Sequence, residues 1–131
     1  MDPNDLEQML LKAPFHRWLG LKVLDVQDGR VKLEAQWNEN WIANTERKHT
    51  HGGILCALID IGANWAIATK VKHGVPTIDL RVDYHAPSYE ENLFVEGTIL
   101  RFGKRLSTAE TKILSANQRL IASGRGLFLT E

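Results

Sequence analysis

The run of small and apolar residues from Ile54 to Ala68 constrains the fold more than any other part of the chain. A helix that is apolar on every face is buried in a core instead of lying on a surface. The run is shorter than the roughly 20 residues that cross a bilayer, and Asp60 interrupts it, so we do not interpret it as a membrane helix. The sequence therefore predicts one buried helix around which the rest of the chain is arranged.

Asp60 and Asn64 are the only strongly polar side chains within this run. They are four residues apart, so they lie on one face of the helix. A carboxylate is costly to bury unless it is paired or used chemically. Asp60 is therefore a candidate general base.

Two glycines, Gly52 and Gly53, precede the helix and leave its first N–H groups accessible. Such a helix start favours an anion or a developing oxyanion. Asp60 lies seven residues beyond Gly53, about 10 Å along a helix, whereas a reacting atom should lie about 3 Å from both its base and its oxyanion donor. One helix cannot easily provide both groups. Two copies packed antiparallel across a two-fold axis can, so the sequence suggests a dimer with composite sites.

Strands are predicted on both sides of the helix. Alternating apolar residues and turn signals such as Asp28-Gly29 favour two strands before it and three or four after it. The predicted elements are a helix over 3–12 with Asn4 as N-cap, strands over 21–27, 30–37, 77–85, 93–102, 105–115 and 120–129, and a helix end at Gly74. An antiparallel sheet that wraps one apolar helix is an α+β domain. We expect a single domain over residues 1–131, with an N-terminal helical segment over 1–20.

Composition excludes some classes of function. The formal net charge is zero, which gives no general electrostatic reason to expect nucleic acid or an anionic membrane as partner. The single cysteine, Cys56, is expected to be a packed core thiol. No basic and apolar signal segment opens the chain, so we expect a cytoplasmic protein.

Three motifs in order carry a resemblance to a known family. They are His51-Gly52-Gly53 followed by Asp60, the strand segment from Thr77 to Tyr84, and the turn Gly103-Lys104-Arg105. Together with the order of elements, they resemble the hotdog fold, in which a curved antiparallel sheet wraps one central helix. Within that fold, the chain is similar to acyl-CoA thioesterases of the phenylacetate-degradation, PaaI-like type.

The resemblance implies hydrolysis of a small, medium-chain or aromatic acyl-CoA. Asp60 stands where the family has its catalytic carboxylate, acting as nucleophile or as the base that activates water. The N–H of Gly53, or of its neighbour Gly52, would hold the oxyanion. His51 would orient the helix start, with proton transfer as the alternative. Paired glycines also let two backbones approach closely, and both roles can hold.

Further residues have candidate roles beside these. Asn64 is expected either to position water or the acyl group, or to pack at the dimer seam. The family often has Asn or Gln about six residues before the histidine of the motif; Thr45 stands there in this chain, so the neighbouring Asn44 is the candidate contact to the thioester. The candidates for binding CoA are Arg81, Arg101, Lys104, Arg105 and Ser107.

No metal or cofactor is expected, since the histidines show no metal-ligand spacing, and CoA is part of the substrate. The expected partner is a second copy of the chain, in a homodimer or a dimer of dimers. Two alternatives stay open: a non-catalytic acyl-CoA-binding module, which would not need Asp60, and a hotdog dehydratase acting on hydroxyacyl thioesters. A DNA-binding regulator is disfavoured because the chain has no basic recognition helix.

Overall fold

The computed structural model describes all residues from Met1 to Glu131. Two short helices open the chain, and one long helix separates two strands from four. In order, the elements are α1 (Pro3–Leu10), α2 (Pro14–Trp18), β1 (Leu21–Gln27), β2 (Arg30–Ala35), a 3-10 turn (Glu39–Trp41), α3 (Gly52–Val71), β3 (Thr77–Tyr84), β4 (Leu93–Arg101), β5 (Leu106–Leu114) and β6 (Leu120–Leu129). The predicted order of elements is confirmed.

The six strands form one antiparallel sheet in the order β1-β2-β4-β5-β6-β3. β3 pairs with β6 on one side and has no neighbour on its other side. A shift in the register between Thr77 and Asp79 places a bulge at the start of β3. The curved sheet wrapped around α3 confirms the predicted α+β hotdog architecture.

Glycine allows α3 to lie directly on the sheet. A β-carbon on Gly97 of β4 would overlap the carbonyl oxygen of Gly62 in the helix. Beside this contact, the buried hydroxyl of Thr111 donates a hydrogen bond to the carbonyl of Ile59 over 2.7 Å. Backbone contact at this crossing lets the branched side chains on either side interdigitate and form the core.

One stripe of α3 is not covered by the sheet, which corrects the expectation of a helix buried on every face. Gly53 is exposed, and Cys56, Ala57, Asp60 and Asn64 are only partly buried. Their spacing places them on one side of the helix. The prediction that Cys56 is a core thiol is therefore wrong, and the same is true of the full burial assumed for Asp60.

The length of α3 also differs from expectation. It has 20 residues, enough in length and composition to cross a membrane, so the prediction of a helix too short for a bilayer is wrong. Its apolar composition is explained by its packing against the sheet, since 61% of its most apolar window is buried within the domain.

The ends of two helices are set by residues other than those predicted. Asp2, not Asn4, caps α1, because its carboxylate accepts the N–H of Asp5 in a reciprocal capping box. α3 ends at Val71 instead of Gly74, because Lys72 adopts a left-handed conformation with φ 68° and its N–H bonds the carbonyl of Ala68.

We predict that Gly97→Ala destabilises the domain. The added methyl group would force α3 away from β4, and overpacking of this kind costs about 3 kcal/mol of unfolding free energy. Urea denaturation monitored by circular dichroism would measure the loss. Thr98→Ala, at the next residue of β4, is the matched control and should change the free energy by no more than about 0.5 kcal/mol. Equal stability of Gly97→Ala and wild type would contradict the close contact.

Candidate functional site

His51 is the N-cap of α3. Its Nδ1 atom accepts the N–H of Gly53 over 2.8 Å, so Nδ1 is unprotonated in this arrangement. The N–H of His51 itself bonds the carbonyl of the buried Trp41 over 2.7 Å. The histidine therefore caps the start of the helix.

The two glycines differ in how their N–H groups are used. The Gly53 N–H, the predicted oxyanion donor, is engaged by His51, whereas the Gly52 N–H has no hydrogen-bond acceptor in the chain. A recess of about 400 Å³ opens beside Gly52. It is lined by Leu55 of α3, by His49 and Thr50 before the helix, and by residues 84–87.

Tyr84, which sequence reasoning did not single out, reaches this helix start from the end of β3. Its hydroxyl donates to the carbonyl of Gly52 over 3.0 Å. Burial, followed by the neighbouring Cys56 thiol, raises the pKa of the Tyr84 phenol. The phenol is therefore protonated, and able to donate, throughout the neutral range.

Asp60 is held by the first residue of β3. The hydroxyl of Thr77 donates to Asp60 Oδ1 over 2.7 Å, while Oδ2 has no hydrogen-bond or ion-pair partner in the chain. Thr77 reaches the helix at the point where the bulge shifts the strand register. The carboxylate is thus fixed through one oxygen and free at the other, an arrangement suited to a base or a nucleophile.

Asp60 opens onto a recess of about 310 Å³, which we call the Asp60 recess. Its wall includes apolar surface from α3 and from the segment that leads into β3, and it also includes His16 of α2. Its lining residues are His16, Asp60, Ile61, Asn64, Trp65, Gly74, Val75 and Pro76. The imidazole of His16 packs edge-on against Trp65 with 6.2 Å between ring centroids, and its Nδ1 bonds the carbonyl of Leu10. The sequence carried no signal for His16, because only the fold brings α2 to α3.

Asn64 is used for local structure in this chain. Its side-chain amide donates to the carbonyl of Val75 over 2.6 Å and accepts the N–H of the same residue over 2.9 Å. Both bonds fix the segment that leads into β3. Asn64 thus borders the Asp60 recess, with one amide hydrogen still available on that side chain.

Asn44 lies in an exposed turn before α3. Its side-chain oxygen accepts the N–H groups of Glu46 and Arg47 over 2.8 Å and 3.0 Å. These bonds form an Asx turn, which uses the oxygen and leaves the amide nitrogen of the side chain free.

The predicted CoA-binding residues fall into two groups. Arg101, Lys104 and Arg105 are exposed around the β4–β5 turn, where the Arg105 guanidinium bonds Glu131 over 3.0 Å. Ser107 is buried behind this turn and accepts the N–H of Gly103 over 3.0 Å. Arg81 lies apart from them, on the outer face of the sheet near Asp83.

The β4–β5 turn lies at the C-terminal end of α3. Phe102 packs beneath the Lys70 ammonium, which lies 5.6 Å from the ring centroid. Asp60 is about 16 Å from that helix end, at 1.5 Å per residue, and the Asp60 recess reaches Pro76, whose carbonyl bonds Leu129 beside the turn. In one chain, the helix start and the basic turn are therefore at opposite ends of the domain.

Three comparisons place this geometry among known proteins. A solved structure of a thioesterase-superfamily protein is 39% identical to the chain, with 98% of each chain covered and a TM-score of 0.95. The medium/long-chain acyl-CoA thioesterase YigI of Escherichia coli is 24% identical over 94% of this chain and 89% of its own length. The PaaI protein from the phenylacetic acid degradation operon of E. coli has a TM-score of 0.81 at 17% identity, covering 98% of this chain and 95% of its own, which shows the shared fold.

The predicted resemblance to PaaI-like hotdog thioesterases is confirmed. Residues 47–122, more than half of the chain, match the family model of the thioesterase superfamily. That range contains the histidine–glycine helix start, Asp60 and the strand that holds it. The chain therefore belongs to the thioesterase superfamily and is a thioester hydrolase with the hotdog fold.

Proposed function

We propose that the chain hydrolyses a small, medium-chain or aromatic acyl-CoA to the free acid and CoA. The observation that carries this proposal is Asp60, which Thr77 fixes through one oxygen, whose other oxygen has no partner in the chain, and which lines a recess. The name of the E. coli relative, a medium/long-chain acyl-CoA thioesterase, supports CoA as the carrier. The wall of the recess, formed in part by Ile61, Trp65 and Val75, suits an apolar group beside the thioester.

The site is proposed to be composite across a homodimer. β3 leaves eight residues of backbone unpaired at the edge of the sheet, and Ile78 and Tyr84 on it are 52% and 56% exposed. Natural proteins rarely leave such an edge uncovered. The uncovered stripe of α3 lies beside it, so a second copy that continues the sheet would cover both surfaces.

A two-fold axis through the middle of β3 would bring the helix start of one chain close to Asp60 of its partner. Within one chain, β3 runs antiparallel to α3, because Tyr84 contacts Gly52 and Thr77 contacts Asp60. Antiparallel pairing of two β3 strands places the Tyr84 end of one opposite the Thr77 end of the other. The helix start of one chain would then lie near Asp60 of its partner, which removes the separation of about 10 Å within a single helix.

Two chemical routes use this arrangement. As a base, Asp60 takes a proton from water, the resulting hydroxide attacks the thioester carbonyl, and the tetrahedral intermediate expels the CoA thiolate, which regains the proton. As a nucleophile, the carboxylate attacks the carbonyl and expels the thiolate, and water then hydrolyses the mixed anhydride. Incorporation of ¹⁸O from water into Asp60 during turnover would identify the nucleophilic route.

The oxyanion would be bound at the N-terminus of α3. The Gly52 N–H is available at once, and the Gly53 N–H becomes available when it exchanges His51 for the oxyanion. Backbone donors aimed at the developing charge stabilise the transition state. Asn44, through its free amide nitrogen, and Asn64, through its remaining amide hydrogen, are proposed as secondary contacts to the thioester or to the attacking water.

CoA is proposed to extend from the Asp60 recess towards the β4–β5 turn of the same chain. Lys104 and Arg105, with Arg101 beside them, would meet its phosphates, and Ser107 would hold the turn. The span of about 16 Å from Asp60 to the end of α3 suits an extended pantetheine arm. Arg81 would contribute only where an assembly brings the outer face of the sheet close to the nucleotide.

The proposal includes a cytoplasmic location and, beyond the dimer, a dimer of dimers. Two alternatives remain distinguishable by experiment. A binding module would bind CoA esters without releasing thiol. A dehydratase would remove water from a 3-hydroxyacyl thioester; the only feature that favours it is the shared position of His16 and Asp60 in one recess.

We predict that Asp60→Asn abolishes most of the activity. The amide keeps the shape and can still accept the Thr77 hydrogen bond, but it neither removes a proton nor attacks a carbonyl, so kcat should fall about 10³-fold. Thiol release from a panel of acyl-CoA esters, short-chain to aromatic, measures this loss and ranks the substrates. Asp79→Asn, at an exposed carboxylate of β3, is the matched control and should keep wild-type kcat.

Full activity of Asp60→Asn would contradict the assignment of the carboxylate. If wild type and Asp60→Asn both bind CoA esters and neither releases thiol, the binding module is favoured. A dehydratase would be revealed by mass spectrometry as loss of water from a hydroxyacyl-CoA.

We predict that inactive subunits complement each other. Gly53→Pro removes one oxyanion donor while proline is tolerated in the first helical turn, and Asp60→Asn removes the carboxylate. A mixed dimer would hold one intact site, so equal mixing should recover about a quarter of wild-type activity. The measurement is thiol release after the two folded variants are mixed and their exchange is verified with distinct tags. Absence of recovery in verified mixed dimers would place both groups in one chain.

We predict that Lys104→Ala and Arg105→Ala each raise the Michaelis constant for CoA esters about two- to fivefold, because exposed ion pairs contribute little individually. The kcat should stay unchanged, since the phosphates are remote from the reacting carbonyl. An N-acetylcysteamine thioester of the same acid lacks the phosphates and serves as the control substrate. An equal effect on both substrates would rule out a contact to the nucleotide part of CoA.

A further inference from the structure

The peptide group that joins Gly52 to Gly53 is held at both of its polar atoms. Its carbonyl oxygen accepts the Tyr84 hydroxyl over 3.0 Å, and its N–H donates to His51 Nδ1 over 2.8 Å. A peptide group is planar, so two contacts at its opposite atoms fix its orientation. We infer that Tyr84 is a positioning residue that orients the Gly53 N–H, one of the two proposed oxyanion donors at the start of α3, an inference that rests on the proposed function.

The placement of the Tyr84 ring indicates a role other than core packing. Tyr84 is 56% exposed within one chain, so the ring is not part of that chain's own core. It is the last residue of β3, and the next two residues stay anchored because the N–H groups of His85 and Ala86 both bond the carbonyl of Ile121. A rigid strand end therefore presents the hydroxyl to the helix start.

The ring also lies against Gly52 itself. A β-carbon built on Gly52 would be 3.5 Å from two ring carbons and from the hydroxyl oxygen of Tyr84, an ordinary van der Waals distance. The Tyr84 ring therefore packs against Gly52 without a clash, and its hydroxyl donates to the carbonyl of the same residue.

The proposed reaction gives this contact a specific task. The Gly53 N–H must leave His51 Nδ1 to bind the oxyanion, and during that exchange only the carbonyl end of the peptide group remains held. α3 begins at Gly52, so this carbonyl also takes part in the helical hydrogen bonding, and Tyr84 adds a side-chain bond to it. The added bond helps to keep the plane from rotating while the N–H changes its acceptor. A hydrogen bond to the carbonyl also polarises the peptide group and strengthens its N–H as a donor.

The raised pKa of the phenol fits this role, because the hydroxyl keeps its proton and donates across the neutral range. The geometry of the two hydrogen bonds carries the inference independently of this titration.

The test is Tyr84→Phe, which keeps the ring and removes the hydroxyl. We expect kcat for an acyl-CoA ester to fall about tenfold with the Michaelis constant unchanged, because the interaction acts in the transition state. Tyr89 is the only other tyrosine of the chain and is 48% exposed, with no hydrogen bond to its hydroxyl. Tyr89→Phe is therefore the matched control and should retain wild-type kcat.

A spectroscopic measurement reports the contact directly. Gly52-Gly53 is the only Gly-Gly pair in the sequence, so labelling glycine with ¹³C at the carbonyl and with ¹⁵N yields a single carbonyl–amide correlation in an NMR spectrum. That peak should move in Tyr84→Phe and stay in place in Tyr89→Phe. If Tyr84 only stabilised the strand, its replacement by Phe would not shift this peak selectively.

Each remaining outcome overturns the inference. These outcomes are wild-type kcat in Tyr84→Phe, a rise in the Michaelis constant alone, and an unmoved peak. The proposed function fails separately, if wild type releases no thiol or if Asp60→Asn is fully active. Even then, the NMR comparison decides whether Tyr84 orients the peptide group.

Discussion

Burial of α3 is the constraint on which the rest of the structure depends. The helix is too apolar to be stable in water without a covering sheet, and the sheet buries its inner face only against that helix. Backbone contact between Gly62 and Gly97 brings the two layers together, and the Thr111 hydroxyl satisfies a helix carbonyl at the same crossing. This contact sets the position of α3, and α3 carries both the helix start and Asp60.

The same packing leaves one side of the domain uncovered. The partly exposed stripe of α3 and the unpaired edge of β3 lie next to each other, and the chemically useful groups are concentrated there. Thr77 and Tyr84, at opposite ends of β3, each hold a group of the helix: a carboxylate at one end and a backbone carbonyl at the other. A single strand thus holds the carboxylate and the helix start, and in the proposed dimer a second copy that completes the sheet would join the two halves of the site.

Sequence patterns predicted the elements well because their signals are local. The alternation from Thr77 to Tyr84 and the run after Gly53 predicted the strand and the helix that carry the candidate site. The motif His51-Gly52-Gly53, with the two other motifs, indicated the family that the comparisons confirm. Helix ends were less predictable: Asp2 and Asn4 both suit an N-cap, and the left-handed Lys72 has no sequence signal as strong as that of Gly74. Periodicity also could not reveal the exposed stripe, since apolar residues occupy both the covered and the uncovered faces of α3.

The sequence by itself determined the fold class, the family and the identity of the candidate carboxylate and helix start, because these depend on residue type and spacing along the chain. Only the tertiary structure decided which partners those groups have. Thr77 on Asp60, Tyr84 on Gly52 and His16 in the Asp60 recess are contacts between residues 17, 32 and 44 or more positions apart. Such contacts arise from the strand bulge, the close helix–sheet packing and the docking of α2, and these are set by how the elements fit together in space.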